Sequence, residues 1–540
     1  MRAALPSPKR KRGAGAVFLC IGVLAAGCGV DGREVRTGIE LALNDSTLAQ
    51  SNAWAEDVHD FYARRGMRPA WTHGRGLNGR GREVLVVLES ATTMGLDPAR
   101  YDVDEARRLR RALAGAADEQ ENAALLAALD VHLTTGLRRY LGDLRGGALE
   151  PAEQRSVQFA LVLDSLADAR HPQRHAAALE PSNAQYRNLK SALARYSEIA
   201  RSGGWSEVAA GAADSAATAG TLKERLIAEG DPREQELAER SAGFDEDLAS
   251  ALRHFQARHG LEETGTLDSM TLQQLNTPVE ERVASLSLNL DRLRTLPRDS
   301  AGLRIFVNVP AYEMVVLQDD APLLSMPVIV GKAEHQTPVL IDTVRYVVTN
   351  PYWNVPQSIF AEEILPALQA DPSYLNAKNM EVVSHEEGGG VIDEGSIDWD
   401  RVDPDSVPWM IRQRPGPWNA LGRVKFLFPN RQNIYLHDTP ESHLFERTVR
   451  ALSHGCIRLE RPLELARLVL DRRTDLSAGA LDELLARPGE KHVPLNEGIP
   501  VAIVYLTSWI GPDGDVQFLR DIYGRDAQLR AEPDGQVGND

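Results

Sequence analysis

The sequence predicts a multi-domain chain: an α-helical N-terminal scaffold, a small three-helix module and a mainly-β C-terminal domain interrupted by a helical cap insertion. Three observations carry this. At 540 residues the chain exceeds what a single hydrophobic core organises. Apolar residues recur at helical spacing as far as Leu296, then alternate as in strands from Leu303 onward. Between Ile364 and Pro415 the strand pattern gives way to a polar, acidic stretch with Gly388-Gly389-Gly390, whose length suits a lid over a site.

Residues 1–28 come first. Lys9 to Arg12 is a basic cluster, Ala14 to Ala26 an apolar run, and Gly27-Cys28 a small-residue end. The run is short of the ~20 residues that span a bilayer, and the order basic, apolar, small is that of an export signal. Leu24-Ala25-Ala26-Gly27-Cys28 also resembles a bacterial lipobox, which makes Cys28 the expected lipidation site and the chain a membrane-anchored lipoprotein of the periplasm or cell envelope. An ordinary signal peptide with an incidental Cys28 is the alternative. The net charge is −17, and since this leader holds five basic residues and no acid, the rest of the chain is nearer −22. Such an acidic surface is repelled by phosphate backbones, so no nucleic-acid partner is expected.

Residues 45–205 read as the helical scaffold. Asp104 to Ala114 and Gln120 to Leu144 carry Leu, Ala and Arg at helical spacing, punctuated by Gly95-Leu96-Asp97-Pro98 and by Gly146-Gly147 through Pro151. Ala209 to Gly220 reads as a linker. The module is expected over 221–278, with helices at Asp245 to Ala257 and Met270 to Leu275, the second capped near Asp268. A connecting helix follows over 279–300. Strands are expected at Ile305 to Val309, Pro327 to Val330, Val344 to Thr349, Val424 to Phe428, Ile434 to Leu436 and Pro500 to Trp509, within a domain spanning 303–525 and followed by a polar tail, 526–540. Pro429 to Asn433 looks like a hairpin connection whose second strand delivers His437 at its end.

Chemistry concentrates at one cysteine. Of Cys20, Cys28 and Cys456, only the last remains once the leader is set aside, and an exported protein usually carries its cysteines in pairs. Cys456 stands in Ser453-His454-Gly455-Cys456-Ile457-Arg458, with His437 upstream. A free thiol is only a few per cent thiolate at neutral pH, and an imidazole that takes its proton leaves a thiolate–imidazolium pair. His437 is the expected base. His454, two residues from the sulfur, shapes the turn or lends its backbone N–H. Gly455 permits a tight turn whose N–H groups stabilise an oxyanion, a contribution of ~3 kcal/mol per donor. Arg458 either binds a substrate carboxylate or pairs with an acid such as Glu460. An inert buried cysteine is disfavoured by the Ser, His, Gly and Arg around it. A zinc site from His437, His443, His454 and Cys456 matches no common ligand spacing, so no metal and no cofactor are expected. In papain-like proteases Cys precedes His, the reverse of the order here.

His437, fifteen intervening residues and Ser453-His454-Gly455-Cys456-Ile457-Arg458 resemble the signature of the L,D-transpeptidase (YkuD-like) catalytic domain. Val330-Gly331-Lys332 with Thr337-Pro338, Asn350 to Pro356, Asn419-Ala420-Leu421-Gly422 and Tyr435-Leu436-His437-Asp438 are similar to further segments of it. The remainder resembles the large branch with scaffold, peptidoglycan-binding module and capping subdomain. Many members carry Asn where this sequence has Arg458.

The resemblance implies acyl transfer on peptidoglycan stem tetrapeptides: Cys456 forms a thioester with loss of D-Ala, His437 relays the proton, and a diaminopimelate amine completes a 3→3 cross-link. It further implies an oxyanion site at the backbone N–H groups of His454, Gly455 and Cys456 with Ser453 and the Tyr435 hydroxyl in support, a substrate groove at Trp353 and Asn354, and acylation of Cys456 by carbapenem-type inhibitors. Water as acceptor, giving an L,D-carboxypeptidase, and a non-catalytic wall-binding lipoprotein are the competing readings.

Overall fold

The computed structural model describes residues 32–44, 53–147, 159–209, 216–241, 243–298, 301–386, 390–477 and 479–531. The leader with Cys28 lies outside them. Among the described residues no helix is long and apolar enough to cross a membrane.

The N-terminal core is built around the long helix Glu119–Gly146. Asp118 starts it by accepting from the Glu121 N–H at 2.7 Å, while the Glu121 carboxylate accepts from the Ala117 N–H at 2.7 Å. Leu126, Leu129, Leu133, Leu137 and Leu141 are buried along one face, at the three- and four-residue spacing of a packed helix. Helix Ala184–Arg201 instead packs with the connecting helix, Val279–Arg294, and with the C-terminal strands through Leu189, Tyr196, Leu290, Trp509 and Phe518.

The stretch read as a linker is helical from Ala216, because alanine is the strongest helix former. Among its described residues the module holds four helical segments, Ala216–Glu229, Pro232–Arg240, Glu246–Arg258 and Ser269–Leu275, where three were expected. The extra division falls at Gly230-Asp231-Pro232, with Asp231 capping the new start. Asp268 caps the last helix as expected, accepting from the Thr271 N–H at 2.7 Å.

In the C-terminal domain we number the strands β1 Leu303–Asn308, β2 Glu313–Gln318, β3 Ala321–Gly331, β4 Leu340–Thr349, β5 Trp353–Asn354, β6 Met380–Ser384, β7 Val391–Ile392, β8 Trp409–Gln413, β9 Val424–Leu427, β10 Leu436–His437, β11 Ala451–Ser453, β12 Ile457–Leu459, β13 Lys491–Val504, β14 Ser508–Ile510 and β15 Val516–Phe518. The main sheet runs β11-β3-β12-β10-β9-β4-β13-β1-β2, and β2 pairs again with β3, so the sheet closes on itself. Leu303, Ile305 and Val307 point inward from alternate positions of β1 and meet Val344, Val347, Phe426, Leu436 and Ile457 in one core. The closure leaves the short parallel pair β10–β12 inside the sheet, and that pair carries the site.

The cap carries helices over 357–377, as expected, and adds a sheet of order β5-β8-β6-β7 with its own core of Phe360, Leu368, Val382, Trp409 and Ile411. It begins with β5 at Trp353, ahead of residue 364, because its first segment is apolar and only its middle is polar. The expected polar tail is helical over Arg525–Ala531. Asp526 is buried there, accepting from Thr507 Oγ1 at 2.6 Å and pairing with Arg292 at 2.8 Å, which ties the segment down.

Candidate functional site

Parallel pairing sets Leu436 beside Ile457 and His437 beside Arg458. One residue back, the Ile457 N–H donates to the Tyr435 carbonyl at 3.2 Å, so Tyr435 flanks Cys456. Because side chains alternate along a strand, Leu436 and Ile457 enter the core while His437 and Arg458 take the opposite face, and Cys456, immediately before β12, packs against the edge of that core. The Tyr435 and His437 rings lie 5.6 Å apart, edge to face.

The imidazole orientation is fixed by the chain itself: His437 Nδ1 lies 2.6 Å from the Asp438 carbonyl oxygen. That carbonyl accepts the Nδ1 proton, leaving Nε2 as the free lone pair. Asp438 is held in turn, its carboxylate accepting from the backbone N–H groups of Arg423 and Thr439, each at 2.7 Å. Sequence reasoning missed this carbonyl, since a backbone acceptor has no residue signature.

The thiol is half-buried and donates to the Asn433 carbonyl at 3.6 Å. Burial pushes Cys456 above the ordinary thiol value, opposed by hydrogen bonding to Tyr435 and by the Arg458 charge. Burial, reinforced by the Arg458 charge, lowers His437 to about 3. Both shifts favour a neutral pair at rest over the thiolate–imidazolium pair expected from the sequence. Charges side by side in a poorly solvated pocket cost more than the neutral pair.

The turn before Cys456 is locked. Gly455 has φ +107°, a conformation open to glycine, and its N–H donates to Ser453 Oγ at 3.1 Å. Ser453 Oγ donates to the Cys456 carbonyl at 2.6 Å. Thr337 Oγ1 donates to the Gly455 carbonyl at 2.7 Å and accepts from the Gly331 N–H at 2.9 Å. A Cβ on Gly331 would sit 2.0 Å from the His335 carbonyl oxygen and 3.0 Å from Gly455 Cα, so only glycine fits. Tyr523 braces this from the C-terminal segment: its hydroxyl donates to the Gly331 carbonyl at 2.5 Å and accepts from the Thr337 N–H at 3.2 Å.

Tyr523→Phe is expected to orphan the buried Thr337 N–H. Stability should fall by about 1–3 kcal/mol in urea denaturation, and thiol acylation should slow more than substrate binding weakens.

Other expected residues lie elsewhere or pair otherwise. Arg458 pairs with Glu441 at 2.6 Å, where an alternative to substrate binding had suggested Glu460. His454 points away from the sulfur to Glu363 of the cap, Nε2 to Oε1 2.9 Å. Trp353 and Asn354 belong to the cap sheet, Trp353 packed on its core and Asn354 exposed. A cavity of about 890 Å³ opens between the module and the catalytic domain, lined by Glu262, Glu313, Lys332, Glu334 and Arg450 among others. Burial, aided by the charge of Asp513, raises Glu313 there to about 7.

Residues 302–490 match the family model described as the L,D-transpeptidase catalytic domain (YkuD), residues 56–193 a scaffold domain, and residues 217–275 a "Putative peptidoglycan binding domain". Over 244 residues the chain is 38% identical to a Haemophilus influenzae protein named "Putative L,D-transpeptidase". That match covers 45% of this chain and 48% of the relative, so the chain spans about half the length of the curated protein it matches. Among solved structures, residues 123–326 of an L,D-transpeptidase from Xylanimonas cellulosilytica are 13% identical, with a TM-score of 0.17 and coverage of 55% of this chain and 98% of that one. An L,D-transpeptidase from Stackebrandtia nassauensis is 12% identical, with a TM-score of 0.19 and coverage of 55% and 96%. The chain is thus similar, over residues 302–490, to the L,D-transpeptidase catalytic domain of the YkuD family, with matches to a scaffold domain and to a "Putative peptidoglycan binding domain" ahead of it.

Proposed function

We propose that this chain forms 3→3 peptidoglycan cross-links through a thioester on Cys456. The observation that carries the reading is the parallel pairing of β10 with β12, which sets His437 beside Arg458, two residues from Cys456, with His437 Nδ1 anchored and Nε2 left free. In the first half-reaction the Cys456 sulfur attacks the carbonyl joining the L-centre of diaminopimelate to the terminal D-Ala of a stem tetrapeptide. The thiol proton passes to His437 Nε2. The oxyanion is met by the backbone N–H groups of His454 and Cys456, since that of Gly455 already donates to Ser453 Oγ, and by the Tyr435 hydroxyl. The C–N bond then breaks, His437 returns the proton to the D-Ala amine, and a thioester remains. In the second half-reaction a diaminopimelate side-chain amine attacks the thioester, losing a proton to His437 while the sulfur leaves and is reprotonated. No cofactor enters this balance.

The substrate is a polymer, and the module and catalytic domain share a cavity whose wall includes Lys332, one residue after Gly331 of the braced turn. This supports a path for the strand between the wall-binding module and the nucleophile. Work on peptidoglycan belongs to the cell envelope, and we read residues 1–28 as its export signal, with Cys28 as the lipid anchor. Carbapenem-type inhibitors are expected to acylate Cys456.

The test is incubation of the full chain with disaccharide tetrapeptides, read by mass spectrometry. Cross-linked dimers with free D-Ala are expected. Tripeptide with D-Ala but no dimer would make water the acceptor and overturn the cross-linking reading, and unchanged substrate would overturn both.

A further inference from the structure

The cap meets the nucleophile turn through a cluster that the proposed chemistry does not use. His335 lies in the loop between Gly331 and Thr337, and His454 stands two residues before Cys456; their rings are 4.8 Å apart. Opposite them, in the segment Phe360–Ile364, Phe360 and Ile364 are buried in the cap core while Glu362 and Glu363 turn toward the histidines. His335 Nε2 lies 3.4 Å from Glu362 Oε2 and His454 Nε2 lies 2.9 Å from Glu363 Oε1. One donor atom from each of His335, Glu362 and His454 falls within 4.8 Å of the other two. Donors around a tetrahedral zinc ion stand about 3.3 Å apart, so side-chain adjustment of about 1 Å closes the set. Among the described residues no arginine or lysine pairs with either carboxylate, and the nearby Lys332 acts on His454 without bridging to them.

We propose that His335, His454 and Glu362 form a binding site for a divalent transition-metal ion of the zinc class, with Glu363 available as a fourth donor, and that the ion ties the cap to the nucleophile turn. Two imidazoles and a carboxylate are a zinc donor set, and a hard ion such as magnesium prefers oxygen alone. Two of the donors belong to loops at the ends of β3 and β11 and the others to the cap, so occupancy restrains cap opening while leaving the Cys456 sulfur outside the coordination sphere.

A second cluster, Asp231, Glu234 and His254, has donors as close together. There the Arg258 guanidinium already balances the carboxylates, its Nε 2.7 Å from Glu234 and 3.7 Å from Asp231, and a second cation is not called for.

The site is independent of the proposed reaction, and its test needs no turnover. Zinc chloride is titrated calorimetrically into the full chain carrying Cys456→Ala, which removes the thiol as a competing ligand. One ion per chain is expected, with binding weakened at least about tenfold when His335→Ala or Glu362→Gln is added. Hydrogen exchange over 357–384 is expected to slow on adding zinc to the Cys456→Ala chain and not to its His335→Ala derivative. No saturable binding, or binding that survives both substitutions, overturns the site. Binding lost instead on Glu234→Gln places the ion at the other cluster and also overturns it. Zinc bound at His335 without slower exchange in the cap overturns the tie.

Discussion

Cys456→Ala is expected to abolish D-Ala release and dimer formation together, by more than about 10⁴-fold, while binding to isolated sacculi is retained. On the proposed route both products descend from one thioester, so no substitution that removes the sulfur can spare either. Binding persists because the module has its own core of Leu222, Leu226, Leu248, Leu252, Phe255 and Leu275, distant in sequence from the turn. A variant that still releases D-Ala would move the chemistry elsewhere. The electrostatics sharpen the expectation into a pH profile. Burial holds the Cys456 thiol above its ordinary value of 9.0 and His437 near 3, so between those limits the free enzyme carries a neutral pair. Alkylation of Cys456 by a small electrophile such as iodoacetamide should keep accelerating past pH 9.0, as the thiolate fraction grows. A preformed ion pair behaves differently, reaching its plateau below neutrality. A plateau at pH 6 to 7 would therefore refute the neutral resting state.

What the sequence made legible was local. His437 and Cys456 are proposed from a short motif that fixes residue types, and the β10–β12 pairing brings their segments together. Asp268 could be placed because a cap sits three residues from the N–H it satisfies. The remainder depends on contacts between distant segments. Tyr523 reaches Gly331 and Thr337 across most of the catalytic domain, and no pattern around residue 523 hints at a brace. His335, His454 and Glu362 meet only because the cap folds back. Glu313–Gln318 was missed as a strand because its contiguous Met-Val-Val-Leu run lacks a two-residue alternation, being covered on both sides over Met314, Val315 and Val316. The Ala-rich stretch near 216 was misread because composition alone does not separate a flexible linker from a good helix former. The neutral resting pair was hidden for a related reason: burial sets it, and burial is a property of the assembled fold.

Arg258→Ala is expected to loosen the module from the rest of the chain. Arg258 is 2% exposed, and its guanidinium meets Glu234 at 2.7 Å, Glu229 at 3.5 Å and Asp231 at 3.7 Å while donating to the Val516 carbonyl at 2.8 Å. Burial alone would lower an arginine, yet Glu234 and Glu229 hold this one well above its ordinary value, so the charge is kept by its partners. Removing it leaves buried carboxylates uncompensated, at a cost of about 3–5 kcal/mol. Glu229 retains Arg225 at 2.8 Å, whereas Glu234 is left with His254 at 3.2 Å. That histidine cannot replace a guanidinium at every pH. Burial would lower it, but Glu234, Asp231 and Asp515 raise it, so its stabilisation is complete below its ordinary 6.5 and fades as pH climbs through the raised value. The loss in Arg258→Ala should therefore deepen with rising pH. Hydrogen exchange at residues 216–258 reads this directly: protection should fall by about 10²- to 10³-fold, with little change at the turn holding Cys456. Arg258→Met with Glu234→Gln removes charge from both sides and should recover much of the protection, which a purely steric role for the arginine would not allow. Because the Val516 bond joins the module to the catalytic domain, Arg258→Ala should spare D-Ala release from soluble tetrapeptides and depress it on intact sacculi, where strand and nucleophile must be held together. Equal losses on both substrates would show that the module does not guide the polymer.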